Sequence, residues 1–167
     1  MILYPKFYLN NVIEIDINFL KTNNIKGLLL DVDNTLIDKE QNLLDGVIQW
    51  CKQLKEYGIK VGIISNTSDK KKVEGVAEKL DIPYLFFVHK PFKSAFVKGK
   101  KMLNMENNKQ IAAVGDQIFT DVLGANRSGI ISILVNPVSK KDLWYTKIKR
   151  PFEKLVIKGY YKKYGGN

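Results

Sequence analysis

Apolar and polar stretches alternate along this chain in an order that predicts strands and helices in turn. Short apolar runs bounded by turn-forming residues are typical of buried strands, and they occur at 26–31, 60–65, 84–88, 110–115 and 130–135. Apolar residues at helical spacing predict helices between them, at 16–23, 46–57, 69–80, 94–103 and 121–128. Such alternation builds a parallel sheet with helices on both faces. We therefore predict a three-layer α/β fold with a parallel sheet of about five strands.

The two ends of the chain lie outside this alternation. Residues 1–25 mix aromatic and aliphatic side chains without clean periodicity, and we expect this N-terminal segment to pack on the edge of the domain. Residues 139–167 predict a basic C-terminal helix, and Pro151 suits the first turn of this last helix. Its apolar face could pack on the sheet, and its lysines could still meet an anionic membrane. The whole chain, 1–167, is predicted to be a single domain because this length suffices for one core.

Charge is concentrated in the C-terminal segment. From Ser139 onward there are nine basic and two acidic residues, which accounts for +7 of the net charge of +10. This bias predicts an anionic partner, which could be a phospholipid surface, a nucleic acid or an acidic substrate. The single cysteine, Cys51, excludes an internal disulfide and is expected in the core. With no leader pattern and no long apolar run, we predict a cytoplasmic protein, peripheral on the inner face of the membrane if the tail binds lipid.

Two carboxylates two residues apart follow the first predicted strand. Because side chains at i and i+2 of an extended chain point the same way, Asp31 and Asp33 are expected to lean into one spot. Two such charges repel each other unless a cation, a proton or solvent separates them, which favours a divalent metal and a phosphoryl group. Taken alone, the segment 31–35 is equally typical of a strand exit with capping side chains. An EF-hand calcium loop is excluded because Leu36 stands where that loop requires glycine.

Polar residues also follow three later strands. Ser65 and Asn66 end the second strand, Lys90 follows the third and Asp116 follows the fourth. Each is commonplace alone, as a helix cap, a solvated lysine or a turn. Together they supply the nucleophile, cation ligands, donors and positive charge that a phosphomonoester requires, and all lie at one edge of a parallel sheet.

These motifs resemble those of the haloacid dehalogenase (HAD) superfamily of phosphatases. Within it, the chain is similar to subfamily IIIA, and to the YqeG-type bacterial phosphatases related to mitochondrial phosphatidylglycerophosphate phosphatase. The resemblance covers roughly residues 1–140. It is carried by the segments Asp31–Thr35, Ser65–Asn66, Lys90–Pro91 and Gly115–Asp121.

The resemblance implies a Rossmann-like fold and a role for each motif residue. Asp31 would attack phosphorus and form an aspartyl-phosphate, while Asp33 would act as the general acid and base. Mg²⁺ would be bound by Asp31, the backbone carbonyl of Asp33 and Asp116. Phosphoryl oxygens would be held by Ser65 and the backbone around Asn66, and Lys90 would balance the charge of the cluster. Asp121 would orient a metal-bound water or Lys90, and Thr35 would fix the turn.

The connections after the first two strands are too short to contain a cap domain. The segments 36–60 and 67–89 each accommodate only loops and one helix, so we expect a capless enzyme with an open site. An open site favours a bulky phosphorylated substrate such as the headgroup of phosphatidylglycerophosphate, bound at the membrane surface. Sugar phosphates and nucleic-acid ends are alternative substrates. A protein of another class, a non-catalytic module that binds RNA or the ribosome, is the second hypothesis that the positive charge permits.

Overall fold

A six-stranded parallel sheet organises the molecule. The computed structural model describes residues 2–139 and 144–165, and in the second range it describes the side chains from Pro151 onward. The strands are β1 (Phe7–Leu9), β2 (Gly27–Leu30), β3 (Lys60–Ile64), β4 (Tyr84–Leu85), β5 (Ile111–Gly115) and β6 (Ile131–Val135). The helices are α1 (Ile17–Thr22), α2 (Val47–Glu56), α3 (Lys70–Leu80), α4 (Lys93–Met102), α5 (Leu123–Arg127) and α6 (Trp144–Tyr164).

The strand order is β1-β6-β5-β2-β3-β4, and all neighbours are parallel. The predicted α/β class is therefore confirmed, with one strand more than expected. The extra strand is β1, which pairs with β6 at the edge of the sheet, Phe7 opposite Ile133. It is three residues long and half-buried throughout, so its sequence lacks the alternation that marks a strand with one buried face. The strand β2 lies at the centre of the sheet, between β5 and β3.

Side chains from alternate positions of β2 pack on opposite faces of the sheet. Leu28 and Leu30 belong to the core beneath α2 and α3, whereas Leu29 belongs to a second core that includes Phe96 of α4 and Ala125 of α5. This produces the three layers expected of a sheet covered on both faces. Cys51 is buried in the first core, and this burial raises the pKa of its thiol to about 11, as expected of an unreactive packing residue.

Three element boundaries differ from the predictions. β4 ends at Leu85 instead of continuing to residue 88, because Phe87 and His89 adopt positive φ angles of 53° and 60° that are incompatible with a strand. The predicted helix at 121–128 begins earlier, as a π-helical segment, Ile118–Val122, that continues into α5. Pro151 lies inside α6 instead of in a first turn, since the helix already begins at Trp144.

Helix α6 packs one face on the sheet near β6. Val156 and Ile157 contact a small core formed by Ile118, Val122 and Leu134. Phe152 and Leu155, which were expected on the same apolar stripe, are instead exposed. The predicted basic segment 139–167 includes residues 140–143 and 166–167, which lie outside the described residues, as do the side chains of Trp144 and Ile148. Among the helices of the described residues, none has the length and apolar composition that crossing a bilayer requires.

Candidate active site

A buried lysine joins two buried carboxylates at the carboxyl ends of the central strands. The Lys90 ammonium donates to Oδ1 of Asp31 at 2.6 Å and to Oδ1 of Asp121 at 2.7 Å. Asp31 directly follows β2, and its backbone N–H continues the ladder to Val114 of β5. A buried ion pair is tolerated when its geometry is good and its partners are hydrogen-bonded, as they are here. Among the hydrogen bonds of the described residues, none reaches Oδ2 of Asp31, so this oxygen is available to a ligand.

Asp31, Asp116 and Asp121 form a compact acidic cluster. One carboxylate oxygen from each lies within 4.8 Å of the others, and all three residues are buried. Gly115 makes this possible, since a Cβ at that position would collide with the Asp121 carboxyl group. Three hard oxygen donors at this separation suit a divalent cation, because a cation removes the repulsion between them. The cluster therefore has the composition and spacing of a metal site.

The protonation of Asp31 is set by competing influences. Burial raises the pKa of Asp31 to about 7, the Lys90 ammonium opposes that rise, and the neighbouring Asp121 and Asp33 add to it. Burial lowers the pKa of Lys90, but Asp121 and Asp31 outweigh it, so the pKa of Lys90 lies above its usual value. Lys90 therefore stays charged at physiological pH, and Asp31 gives up its proton less readily than a solvent-exposed aspartate does.

Asp33 lies at the rim of the site instead of inside the acidic cluster. Its carboxylate accepts from Lys72 of α3 at 2.7 Å, and its side chain is 41% exposed. Asp33 and Lys72 also line a surface cavity with Asn34, Asp38, Lys39 and Gln41. An exposed carboxyl group in this position can exchange a proton with a group bound at the mouth of the site.

The side chains of Ser65 and Asn66 have different hydrogen-bond partners. Ser65 is buried after β3, and its Oγ accepts from the Thr67 N–H at 3.2 Å, so its own hydroxyl hydrogen can still donate. The Asn66 side chain is committed to Lys90, accepting from its N–H at 2.6 Å and donating to its carbonyl at 2.9 Å. Asn66 thus fixes the backbone of the lysine. Thr35 is buried in the turn after β2, where its N–H donates to the Val32 carbonyl.

Two residues near the site were not anticipated from the sequence. Lys72 pairs with Asp33, and nothing in its local sequence distinguishes it from the neighbouring exposed lysines of α3. Glu153 of α6 is buried and accepts from the Ile118 N–H at 2.8 Å, at the start of the helical segment that carries Asp121. A lone acidic residue in a basic apolar helix was the available signal for Glu153. Both contacts join segments that are distant in sequence, so spacing alone could not reveal them.

Comparison with known proteins identifies the family. A family model described as mitochondrial PGP phosphatase matches residues 2–139, which is most of the chain. The chain belongs to this family. It is therefore a HAD-type phosphatase, a phosphoric monoester hydrolase, as its motifs predicted. The matched range contains all of the predicted site residues and ends before α6.

Similar curated proteins come from bacteria and yeast. The chain is 37% identical over 155 residues to the "Probable phosphatase YqeG" of Bacillus subtilis, covering 92% of this chain and 88% of the relative. It is 28% identical over 141 residues to the mitochondrial phosphatidylglycerophosphatase GEP4 of Saccharomyces cerevisiae, covering 71% and 75% of the two chains. These relatives place the chain in a HAD subfamily III group related to phosphatidylglycerophosphate phosphatase.

A solved structure supports the fold. The cobalt-bound deoxy-D-mannose-octulosonate 8-phosphate phosphatase of Haemophilus influenzae superposes with a TM-score of 0.54 at 18% identity, over 84% of this chain and 91% of that chain. At this identity the likeness concerns the arrangement of strands and helices alone.

Proposed function

We propose that this phosphatase is Mg²⁺-dependent, works through an aspartyl-phosphate on Asp31, and removes the terminal phosphate of phosphatidylglycerophosphate. The observation that carries the mechanism is the convergence of Asp31, Lys90, Asp116 and Asp121 at one edge of the sheet, with an oxygen of Asp31 free for attack. Nucleophile, cation ligands and fixed positive charge are the groups that phosphoryl transfer requires.

Asp31 acts as the nucleophile and Asp33 as the proton carrier in this proposal. Oδ2 of Asp31 attacks phosphorus, the bond to the leaving alkoxide breaks, and Asp33 gives that oxygen its proton. Water then attacks phosphorus of the aspartyl-phosphate, Asp33 takes the proton back, and inorganic phosphate leaves with Asp31 regenerated. To act as an acid, Asp33 must be released from Lys72, which the arriving phosphate would favour by competing for the lysine.

The other groups of the site hold the phosphoryl group and the cation. Asp31, Asp116 and the backbone carbonyl of Asp33 would bind Mg²⁺, with Asp121 close enough to orient a bound water. When bound, the ion supplies positive charge that the phosphoryl oxygens share with Lys90. Ser65 would donate its hydroxyl hydrogen to a phosphoryl oxygen.

The lipid substrate is supported by the family and by the openness of the site. The segments that follow β2 and β3 contain, within the described residues, only loops and the helices α2 and α3, so no inserted domain covers Asp31. A site of this kind does not enclose a small metabolite, and a large substrate surface must complete it. The anionic partner is then the phospholipid itself, met at the membrane surface.

A substrate panel tests this proposal. Wild type should hydrolyse phosphatidylglycerophosphate in mixed micelles more efficiently than glycerol 3-phosphate, sugar phosphates or a 5′-phosphorylated oligonucleotide, and only with Mg²⁺ present. Asp31→Asn should lower every activity by at least about a thousandfold, since the nucleophile is lost. Preferential hydrolysis of a soluble phosphate would contradict the lipid assignment, and equal rates for wild type and Asp31→Asn would contradict the mechanism.

A further inference from the structure

Three phenylalanines beside the site are exposed to solvent. Phe86, Phe87 and Phe92, here called the Phe rim, are 37%, 54% and 62% exposed. Large apolar side chains clustered on a surface mark an interaction site more often than isolated ones do. Phe87 adopts a φ of 53°, a conformation that is unfavourable for a bulky side chain and easier for glycine or asparagine. The Phe87 ring contacts the His89 ring, with 4.3 Å between their centroids, but it lies outside the buried core and leaves half of its surface to solvent.

The Phe rim is attached directly to the catalytic groups. Lys90 lies between Phe87 and Phe92 in the chain, and its ammonium reaches Asp31. The Phe87 N–H donates to the Thr67 carbonyl at 3.0 Å, and the next N–H, that of Val88, donates to Ser65 at 3.1 Å. The backbone of the rim is therefore hydrogen-bonded to the segment that carries Ser65 and leads directly into Lys90.

Positive charge accompanies these aromatic residues. The segment 86–101 contains five lysines and no acidic residue. Apart from the buried Lys90 and the half-buried Lys100, the lysines Lys93, Lys98 and Lys101 are exposed on α4. Val97, 46% exposed, lies one turn after Lys93 and extends the apolar surface along the helix. Apolar groups flanked by basic side chains without acidic ones are complementary to an anionic lipid bilayer.

We propose that residues 86–101 dock the enzyme on an anionic lipid bilayer. The Phe rim enters the boundary between headgroups and acyl chains, and the lysines of α4 meet lipid phosphates. This geometry holds the buried Lys90 and Asp31 at the level of the headgroups, so that a lipid phosphate reaches them without leaving the membrane. The choice of a bilayer rests on the proposed lipid substrate, but the docking surface can be tested without that substrate.

Vesicle sedimentation tests the docking surface. Phosphatidylcholine vesicles with and without phosphatidylglycerol, and with no phosphatase substrate, are mixed with wild type and with the double variant Phe87→Asn, Phe92→Ser. Asparagine suits the left-handed backbone at position 87, so the variant should fold. Wild type should sediment with the phosphatidylglycerol vesicles. The partition coefficient of the double variant onto these vesicles should be lower by a factor of roughly ten or more, because it loses two phenyl groups from the apolar contact.

A matched control lies at the opposite edge of the sheet. Tyr57, 49% exposed, follows α2 and precedes β3, so Tyr57→Ser removes an exposed aromatic residue far from the site. This control should bind vesicles like wild type. The double variant should keep wild-type turnover of a soluble aryl phosphate while losing turnover of a lipid phosphate embedded in vesicles, which separates docking from folding and chemistry.

Three results would overturn the docking surface. The first is that the wild-type protein does not bind anionic vesicles, and the second is that the double variant binds them as strongly as wild type does. The third is that binding is lost only when the exposed α6 residues Phe152 and Leu155 are changed to serine. Rim-dependent vesicle binding together with failure to hydrolyse phosphatidylglycerophosphate would support the docking surface and contradict the proposed substrate.

Discussion

At the level of single residues, Lys90 is the positive charge that compensates the buried carboxylates of the site. Its ammonium is almost completely buried, and it is shared by Asp31 and Asp121. Without that ammonium, two carboxylates would remain close together and buried, and the free-energy cost of a buried unpaired charge is high. The lysine is therefore needed for the integrity of the site, apart from the phosphate-binding role proposed for it.

Replacing Lys90 by methionine keeps the length of the side chain and removes its charge. We expect Lys90→Met to lower the free energy of unfolding of the metal-free protein by about 3–5 kcal/mol, as for other broken buried ion pairs, and to abolish hydrolysis. Urea denaturation and a phosphatase assay check this. The matched variant Lys72→Met breaks a more exposed pair and should cost under about 1 kcal/mol. Equal stability losses for the two variants would contradict the role assigned to Lys90.

The raised pKa of Asp31 makes metal binding depend on pH. Burial raises the pKa of this carboxyl group from 3.8 to about 7, so between these values the folded metal-free protein holds more protons than the unfolded chain. Its contribution to stability is therefore present in acid and is lost as the pH rises towards 7. A cation requires the carboxylate form, so Mg²⁺ binding should release protons and tighten as the pH rises from about 5 to about 7.

Calorimetric titration with Mg²⁺ in buffers of different ionisation enthalpy measures this proton release. Asp31→Asn should show weaker binding without the same pH dependence. An Mg²⁺ affinity that is constant over this range for wild type would show that Asp31 is already ionised in the free site.

At the level of elements, the sequence predicts the site well where the sheet itself brings residues together. Asp31, Ser65, Lys90 and Asp116 could be placed on one edge because each follows a parallel strand, and their positions in the structure agree with that placement. The buried runs of β2, β3, β5 and β6 are recognisable for the same reason, since both of their faces are covered. Prediction worked least well where local sequence carries no periodic signal.

The edge strand β1 and the partners Lys72 and Glu153 illustrate what remained hidden. β1 forms because residues Phe7–Leu9 pair with β6. This pairing depends on the folded sheet and not on the hydrophobic pattern of the three residues. Asp33 was expected to point into the cluster with Asp31, but the strand ends at Leu30, so the alternation of side chains no longer applies at position 33. Lys72 then stabilises the outward position of Asp33.

Glu153 connects the C-terminal helix to the cluster of Asp31, Asp116 and Asp121. Its carboxylate accepts the Ile118 N–H at the start of the segment that holds Asp121, so truncation would leave this N–H without that acceptor in a buried place. We expect Glu153→Ala to lower the free energy of unfolding by about 1–3 kcal/mol and to weaken Mg²⁺ binding through displacement of Asp121. Glu153→Gln keeps the accepting oxygen and should preserve most of both properties. Urea denaturation and Mg²⁺ titration of the two variants check this, and Mg²⁺ binding by Glu153→Ala at the wild-type strength would contradict the connection.

At the level of the whole molecule, an open site and an uneven charge distribution belong together. Within the described residues no inserted domain covers the carboxyl edge of the sheet, so the substrate-bearing surface has to exclude water from Asp31. The net charge of +10 attracts the protein to anionic surfaces, and salt weakens this attraction by screening it. The three exposed lysines of α4 add to this attraction at the proposed docking surface.

The central claim is that Asp31 carries the phosphoryl group during turnover. Mass spectrometry of acid-quenched enzyme, taken during hydrolysis in the presence of Mg²⁺, tests it most directly. The substrate is an aryl phosphate, whose leaving phenolate needs little help from an acid, so Asp33→Asn should slow the second step more than the first. The peptide of Asp33→Asn that contains Asp31 should then accumulate one phosphoryl group, and Asp31→Asn should carry none. Hydrolysis by a protein that carries the phosphoryl group on another residue, or undiminished hydrolysis by Asp31→Asn, would contradict the account.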